Sequence, residues 1–225
     1  MRGAGRREAG VINRSTLRSQ IAAALRDEIL AGRLATGREF TVKEIAEQYG
    51  VSATPVREAL VDLAAQGLLD MEQHRGFRVH EFTLDDYRAM CEARQLVAAT
   101  VFQGCLPEGG PKEPPPPGVV ASVRRRAEAA ERAARAGDLD VLIAYDLRFW
   151  RELCAVSANP YIADFLDRLR VQCWVCAVPL LRERASLKGD LWAGHTALLE
   201  ALLRGDEAET GRILADYHAH ALTLM

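Results

Sequence analysis

The chain has 225 residues, of which 49% are hydrophobic, and sets 29 Lys and Arg against 31 Asp and Glu for a formal charge of −2. That balance excludes a disordered, collagen-like or membrane-embedded chain and suits one large or two small domains with their own cores. Five cysteines, an odd number with no apparent secretory leader, argue against a disulfide framework and for a reducing cytoplasm.

The charge is unevenly placed: residues 1–80 carry 12 basic and 10 acidic side chains, whereas 81–225 carry 17 and 21. Residues 1–14 read as a flexible basic arm. Leu17, Ile21, Leu25, Ile29 and Leu34 recur mostly every four residues, which predicts an amphipathic helix over 16–31 stopping at Gly32. Thr41 is placed to cap a short second helix carrying Val42, Ile45 and Ala46 and closed by Gly50. Ser52 is expected to cap a third helix, with Pro55 in its first turn and an apolar face of Val56, Ala59, Leu60 and Leu63. Two helices joined so tightly predict helix-turn-helix geometry. Residues 68–72 and 77–80, around the turn Gln73-His74-Arg75-Gly76, predict a β-hairpin wing.

The remainder has helical periodicity, with helices expected at about 84–104, 118–136, 139–157, 160–183, 187–204 and 206–224. Residues 107–118 are too rich in proline and glycine for a helix interior and predict a surface loop. The longest apolar run, Cys173 to Leu181, contains Pro179 and is far shorter than the ~20 residues that span a bilayer. The expected architecture is mostly α: a winged helix-turn-helix with a small hairpin wing over 15–80, then an all-α helical bundle over 81–225.

A helix that enters the major groove needs small polar or basic side chains on its first turn, and Ser52, Thr54 and Arg57 supply them. Arg38 and Lys43 lie upstream, where the second helix would cross the phosphate backbone. His74 and Arg75 sit at the wing tip. The order of these pieces, above all Val51-Ser52-Ala53-Thr54-Pro55-Val56-Arg57-Glu58-Ala59-Leu60 with Gly67-Leu68 and Arg75-Gly76-Phe77-Arg78-Val79, resembles the winged-helix domain of GntR-type bacterial transcription regulators. The resemblance implies DNA contact by Lys43, Ser52, Thr54, Arg57, His74, Arg75 and Gly76. It also singles out Ala53, which stands where the family frequently has a base-reading arginine, so a shifted operator preference is expected. Glu58 is expected to serve as a salt-bridge or capping partner.

Residues 84–224 resemble, more weakly, the FCD branch of that family, through Cys91-Glu92-Ala93-Arg94, Asp146-Leu147-Arg148-Phe149-Trp150, Ser157-Ala158-Asn159-Pro160 and the Gly194-His195 to Gly205-Asp206 segment. The resemblance implies a homodimer on an inverted repeat of double-stranded DNA, most often a repressor, whose binding is modulated by a small-molecule effector. Many members hold a divalent metal with one Asp and three His; Asp146 and His195 stand at two of those positions, but Trp150 and Tyr217 occupy the others. His218 or His220 could supply a ligand only in a shifted register. No tightly bound metal or other cofactor is therefore expected. Arg94, Asp146, Trp150, His195 and Tyr217 become candidate effector residues, suited to an organic acid or a flat apolar ligand stacked on Trp150. Cys173-x-x-Cys176 has no second pair to make a zinc site and reads as two small buried hydrophobes. The alternatives are a non-specific architectural DNA binder and, with less support, a metal-dependent enzyme built on Asp146 and His195.

Overall fold

A computed structural model describes residues 14–72, 75–102 and 115–225. The basic arm, His74 and most of the proline-rich stretch lie outside the described residues. The chain divides into two compact units, one from the residues up to Ile29 with 34–80, the other from 30–33 with 81–225.

The first unit holds α1 (Arg14–Leu30), β1 (Glu39–Phe40), α2 (Val42–Tyr49), α3 (Ala53–Ala65), β2 (Leu69–Glu72) and β3 (Gly76–Val79). Its core is the apolar face of α1, with Ile21, Leu25 and Ile29 buried, set with Ile45, Val56, Leu60, Leu63, Phe77 and Val79. Removing such side chains from water is what holds three short helices together, at roughly 1.5–3 kcal/mol each. Arg18 bonds Asp62 at 3.0 Å, and Arg26 donates to Gln66 at 2.6 Å, tying α1 to the end of α3.

The wing is larger than a hairpin. β3 pairs antiparallel with β2 and also with β1, giving the order β1-β3-β2. Two residues carry too little pattern to announce a strand, so no element was expected at Glu39 and Phe40. This third strand requires a glycine at position 76. Its φ is 114°, and a Cβ there would lie 2.4 Å from the Phe40 carbonyl oxygen. Gly76→Ala is therefore expected to cost on the order of 2 kcal/mol through strain and clash, read as a lower urea midpoint of the isolated first-unit transition; an unchanged midpoint would remove Gly76 from the fold's requirements.

The second unit is wholly helical in its described residues: α4 (Leu84–Phe102), α5 (Pro117–Ala136), α6 (Leu139–Ser157), α7 (Pro160–Arg182), α8 (His195–Leu203) and α9 (Glu207–Thr223). Asp138, Asn159 and Asp206 each accept a backbone N–H of the first turn of α6, α7 and α9, so these starts were written in the sequence. α4 packs on α7 and α9, and α5 on α6 and α8. Between them lies a core that includes Phe102, Ala127, Phe149, Trp150, Leu153, Leu166, Leu198 and Tyr217. Two expectations are corrected. The helix expected over 187–204 begins only at His195, because Gly189, Asp190 and Gly194 favour turns over the preceding segment. Pro117 and Gly118 belong to the first turn of α5, where a proline's missing N–H costs nothing.

Candidate functional site

In the first unit, the candidate DNA face is built at the junction of α2 and α3. Thr41 and Glu44 form a reciprocal capping box at the start of α2, and Gly50, at φ 64°, ends that helix so that Val51 can bond back to Ala46 at 3.0 Å. Ser52 has the extended backbone of a cap residue, but its hydroxyl makes no capping bond. The expected cap is thus a backbone feature only. Its oxygen and hydrogen remain for an outside partner.

Val56, Ala59, Leu60 and Leu63 turn one face of α3 into the core, which leaves Ser52, Ala53, Thr54 and Arg57 exposed on the other. Lys43, Glu47, Ala53 and Arg57 line a shallow surface groove along α2 and α3. Lys43 is held loosely by Glu47 at 3.8 Å, while Arg57 has no ion-pair partner among the described residues. Arg38 and Arg75 are exposed on the flank and at the wing turn. The Arg38 carbonyl accepts the Val79 N–H at 3.0 Å, which fixes the backbone beneath its side chain. Glu58 is exposed and makes no ion pair among the described residues, so the partner role expected for it is not seen there.

In the second unit, three helices aim N–H donors at one buried carboxylate. Asp146 Oδ1 accepts from Trp150 Nε1 at 3.0 Å and from His195 Nε2 at 2.9 Å. Asp146 Oδ2 accepts from Trp174 Nε1 at 2.8 Å. Burial would raise the carboxyl's pKa, but hydrogen bonding and charge at His195, the Trp174 N–H and the Arg170 charge outweigh it and hold Asp146 below its ordinary value.

A cavity opens beside this carboxylate, lined by Arg94, Asp146, Trp174, Trp192, His195, Tyr217 and His220 together with apolar residues such as Leu142, Leu191 and Leu224. Arg94 is buried, with its guanidinium 4.7 Å from the centre of the Tyr217 ring, and its Nε has no hydrogen-bond partner. His195 Nδ1 and His220 Nε2 are likewise unpartnered. Trp192 lies 4.7 Å from both the Tyr217 and the His195 ring centres and donates to Asp216 at 3.1 Å. Gly194 makes that position possible, since a Cβ there would sit 2.4 Å from the indole.

Four of the five expected effector residues therefore meet at one cavity, and one does not. Trp150 is fully buried behind the wall, between Tyr217 at 5.0 Å and the Arg170 guanidinium at 4.2 Å, so no ligand can stack on it. Trp174 and Trp192 supply the accessible rings instead. Both were missed: Trp174 lay hidden in the Cys173-x-x-Cys176 spacing, and Trp192 in a segment read as helix. Cys173 is buried as expected, but Cys176 is partly exposed.

The donor set does not fit a divalent cation. Both Asp146 oxygens are committed to N–H donors, and an indole cannot ligate. His218 lines a different cavity, with Tyr87, Arg88, Cys91 and Leu222, so only His220 shares the space of Asp146 and His195. Among the described residues no group of three or more His, Cys, Asp or Glu is arranged to hold a metal ion.

Comparison with known proteins matches each unit separately. The family model for gntR bacterial regulatory proteins covers residues 17–79, and that for the FCD domain covers 113–220. A probable D-xylose utilization operon transcriptional repressor from Paenarthrobacter nicotinovorans is 29% identical over 87% of this chain and 82% of its own length. The fold is similar to that of a putative GntR transcriptional regulator from Rhodococcus sp. RHA1, at 20% identity and a TM-score of 0.68 over 92% of this chain and 96% of that one. It is also similar to that of Escherichia coli McbR, at 24% identity and a TM-score of 0.67 over 90% of this chain and 93% of that one.

Proposed function

Because the chain belongs to the GntR family of bacterial regulatory proteins and carries an FCD domain, we propose that it is a cytoplasmic, homodimeric repressor released from its operator by an organic monocarboxylate. It is a DNA-binding transcription regulator of the kind its relatives are named for. No helix among the described residues is long and apolar enough to cross a membrane.

The observation that carries the effector reading is the Arg94 guanidinium, buried in an aromatic cavity with its Nε unbonded and no carboxylate partner among the described residues. A buried cation without a carboxylate partner is costly, and a ligand carboxylate would satisfy it with two parallel N–H···O bonds. Trp174, Trp192 and Tyr217 offer apolar faces to a flat ligand body. His195 Nδ1 and His220 Nε2 are the remaining polar groups that could fix its orientation. A ligand acts on DNA binding only if it prefers one dimer arrangement over another; two winged helices then cease to reach both half-sites together.

Selection of bound duplexes from random DNA, followed by titration of the winner against scrambled sequence at fixed salt, tests the regulator reading. An inverted repeat bound far more tightly than scramble is expected. Equal affinity for both, with the same steep salt slope, would favour an architectural DNA binder. Within the selected site, Ala53→Arg is expected to create a preference for guanine at the base facing that position, worth about 1–3 kcal/mol of discrimination; an unaltered selected motif would take residue 53 out of base readout.

All three tryptophans lie at or behind the cavity, so their fluorescence reports its occupancy. Aromatic monocarboxylates are expected to change that emission saturably. Arg94→Met should weaken them by about 10–100-fold, the usual value of a charge-assisted bond, while leaving operator affinity without ligand intact. Equal binding of the corresponding amides would show that no carboxylate is recognised.

A further inference from the structure

Cys173 does not pair with Cys176, its neighbour in the C-x-x-C spacing. Its thiol neighbours that of Cys91 where α7 packs on α4, close enough for each to perturb the other's ionisation. Both are buried, whereas Cys176 sits apart, 3.8 Å from the Thr83 carbonyl. Arg94, one turn along α4, brings Nη2 to 3.8 Å from the Cys91 sulfur. Cys91 also lines the cavity that runs along α4 and α9, whose rim residues Leu84, Arg88 and Leu222 are exposed.

We propose that Cys91 and Cys173 form a hydroperoxide-sensitive pair that closes to a disulfide between α4 and α7. Two neighbouring thiols on packed helices, one of them beside a guanidinium and on the wall of a cavity that reaches solvent, are the arrangement this chemistry requires. The neighbouring Cys173 thiol, and the Arg94 charge, more than offset burial and lower the pKa of Cys91. Cys91, beside Arg94 and on the wall of the cavity along α4 and α9, is the attacking thiol, and Cys173 is the resolving one.

The Cys91 thiolate attacks the outer oxygen of a hydroperoxide; the O–O bond breaks, and the departing alkoxide takes a proton to become the alcohol. Cys91 is then a sulfenic acid. The Cys173 sulfur attacks it, the S–S bond forms, and hydroxide leaves with the Cys173 proton as water. Two thiols are oxidised and one peroxide is reduced, with hydrogen peroxide itself giving water in place of the alcohol. Neither DNA nor effector enters these steps, so the outcome is independent of the regulator reading.

The test is peptide mapping, without reductant, of the full-length native protein after a brief exposure to hydrogen peroxide. Two of the five cysteines should disappear from a thiol titration, with tryptic peptide 89–94 joined to 171–182. The link should persist in Cys176→Ser, and reductant should restore both thiols. In Cys173→Ser, oxidation should stop at a Cys91 sulfenic acid that dimedone traps. A Cys173–Cys176 bond, a bond to Cys105, or no disulfide under peroxide that oxidises the free thiols would each overturn the proposal.

Discussion

Asp146→Ala is expected to lower the stability of the helical unit by about 3–5 kcal/mol, the usual result of removing one partner from a buried charged network. The carboxylate is 2% exposed and is the common acceptor for donors on α6, α7 and α8. Its loss removes the acceptor of the Trp150 and Trp174 N–H groups and of His195 Nε2, and with it a negative charge that Arg170 interacts with. Each neutral donor left unsatisfied costs about 1–3 kcal/mol, less whatever the site recovers by collapsing. Asp146→Asn separates charge from shape. It keeps an acceptor oxygen for Trp150 and His195, or for Trp174, but turns an N–H₂ toward the other donor, so a smaller loss is expected. All three tryptophans belong to this unit, so urea unfolding followed by their fluorescence reads its transition apart from that of the winged helix. A loss below about 1 kcal/mol in Asp146→Ala would mean that the carboxylate does not organise the network.

That network shows how far local signals in a sequence reach. Helix starts at Asp138, Asn159 and Asp206 were legible because a cap is a single residue acting on its own next turn. The exposed and buried faces of α3 were legible because a 3.6-residue period is a local property. Asp146 and His195 were marked by resemblance, and the structure joins them at 2.9 Å. Trp174 is 28 positions from the carboxylate it serves, and only the packing of α7 on α6 brings them together. Trp192 depends on the absence of a side chain at Gly194, which a sequence shows as a glycine without showing what fills the gap. β1 was missed for a related reason: two residues acquire strand geometry from β3, not from their own pattern. The neighbourhood of Cys91 and Cys173 carried no local signal, because it arises only where α7 packs on α4.

His218 sets the acid limit of the fold. It is buried on α9, with neither ring nitrogen hydrogen-bonded among the described residues. Burial, and then the charges of Arg94 and Arg170, push its pKa from 6.5 down to about 3. The unfolded chain therefore takes up a proton on this imidazole as the pH falls below 6.5, while the folded chain refuses it until about 3. Because the unfolded state binds more protons across that window, stability rises with pH and is lost on acidification, by about 1.4 kcal/mol per pH unit. At about pH 4.5 the loss amounts to about 3 kcal/mol relative to neutral pH. Asp146 shifts in the same direction but acts over a lower range: its folded value is depressed, so its contribution is complete above the unfolded value of 3.8 and is lost only as the pH falls through the folded one. The interval from about 6 to 4.5 is thus governed by the imidazole. His218→Leu, of similar volume and with no proton to bind, is expected to match the native protein near neutral pH or exceed it slightly, and to keep a nearly flat urea midpoint down to about pH 4.5 while the native midpoint falls. Parallel decline of the two proteins would place the acid sensitivity elsewhere.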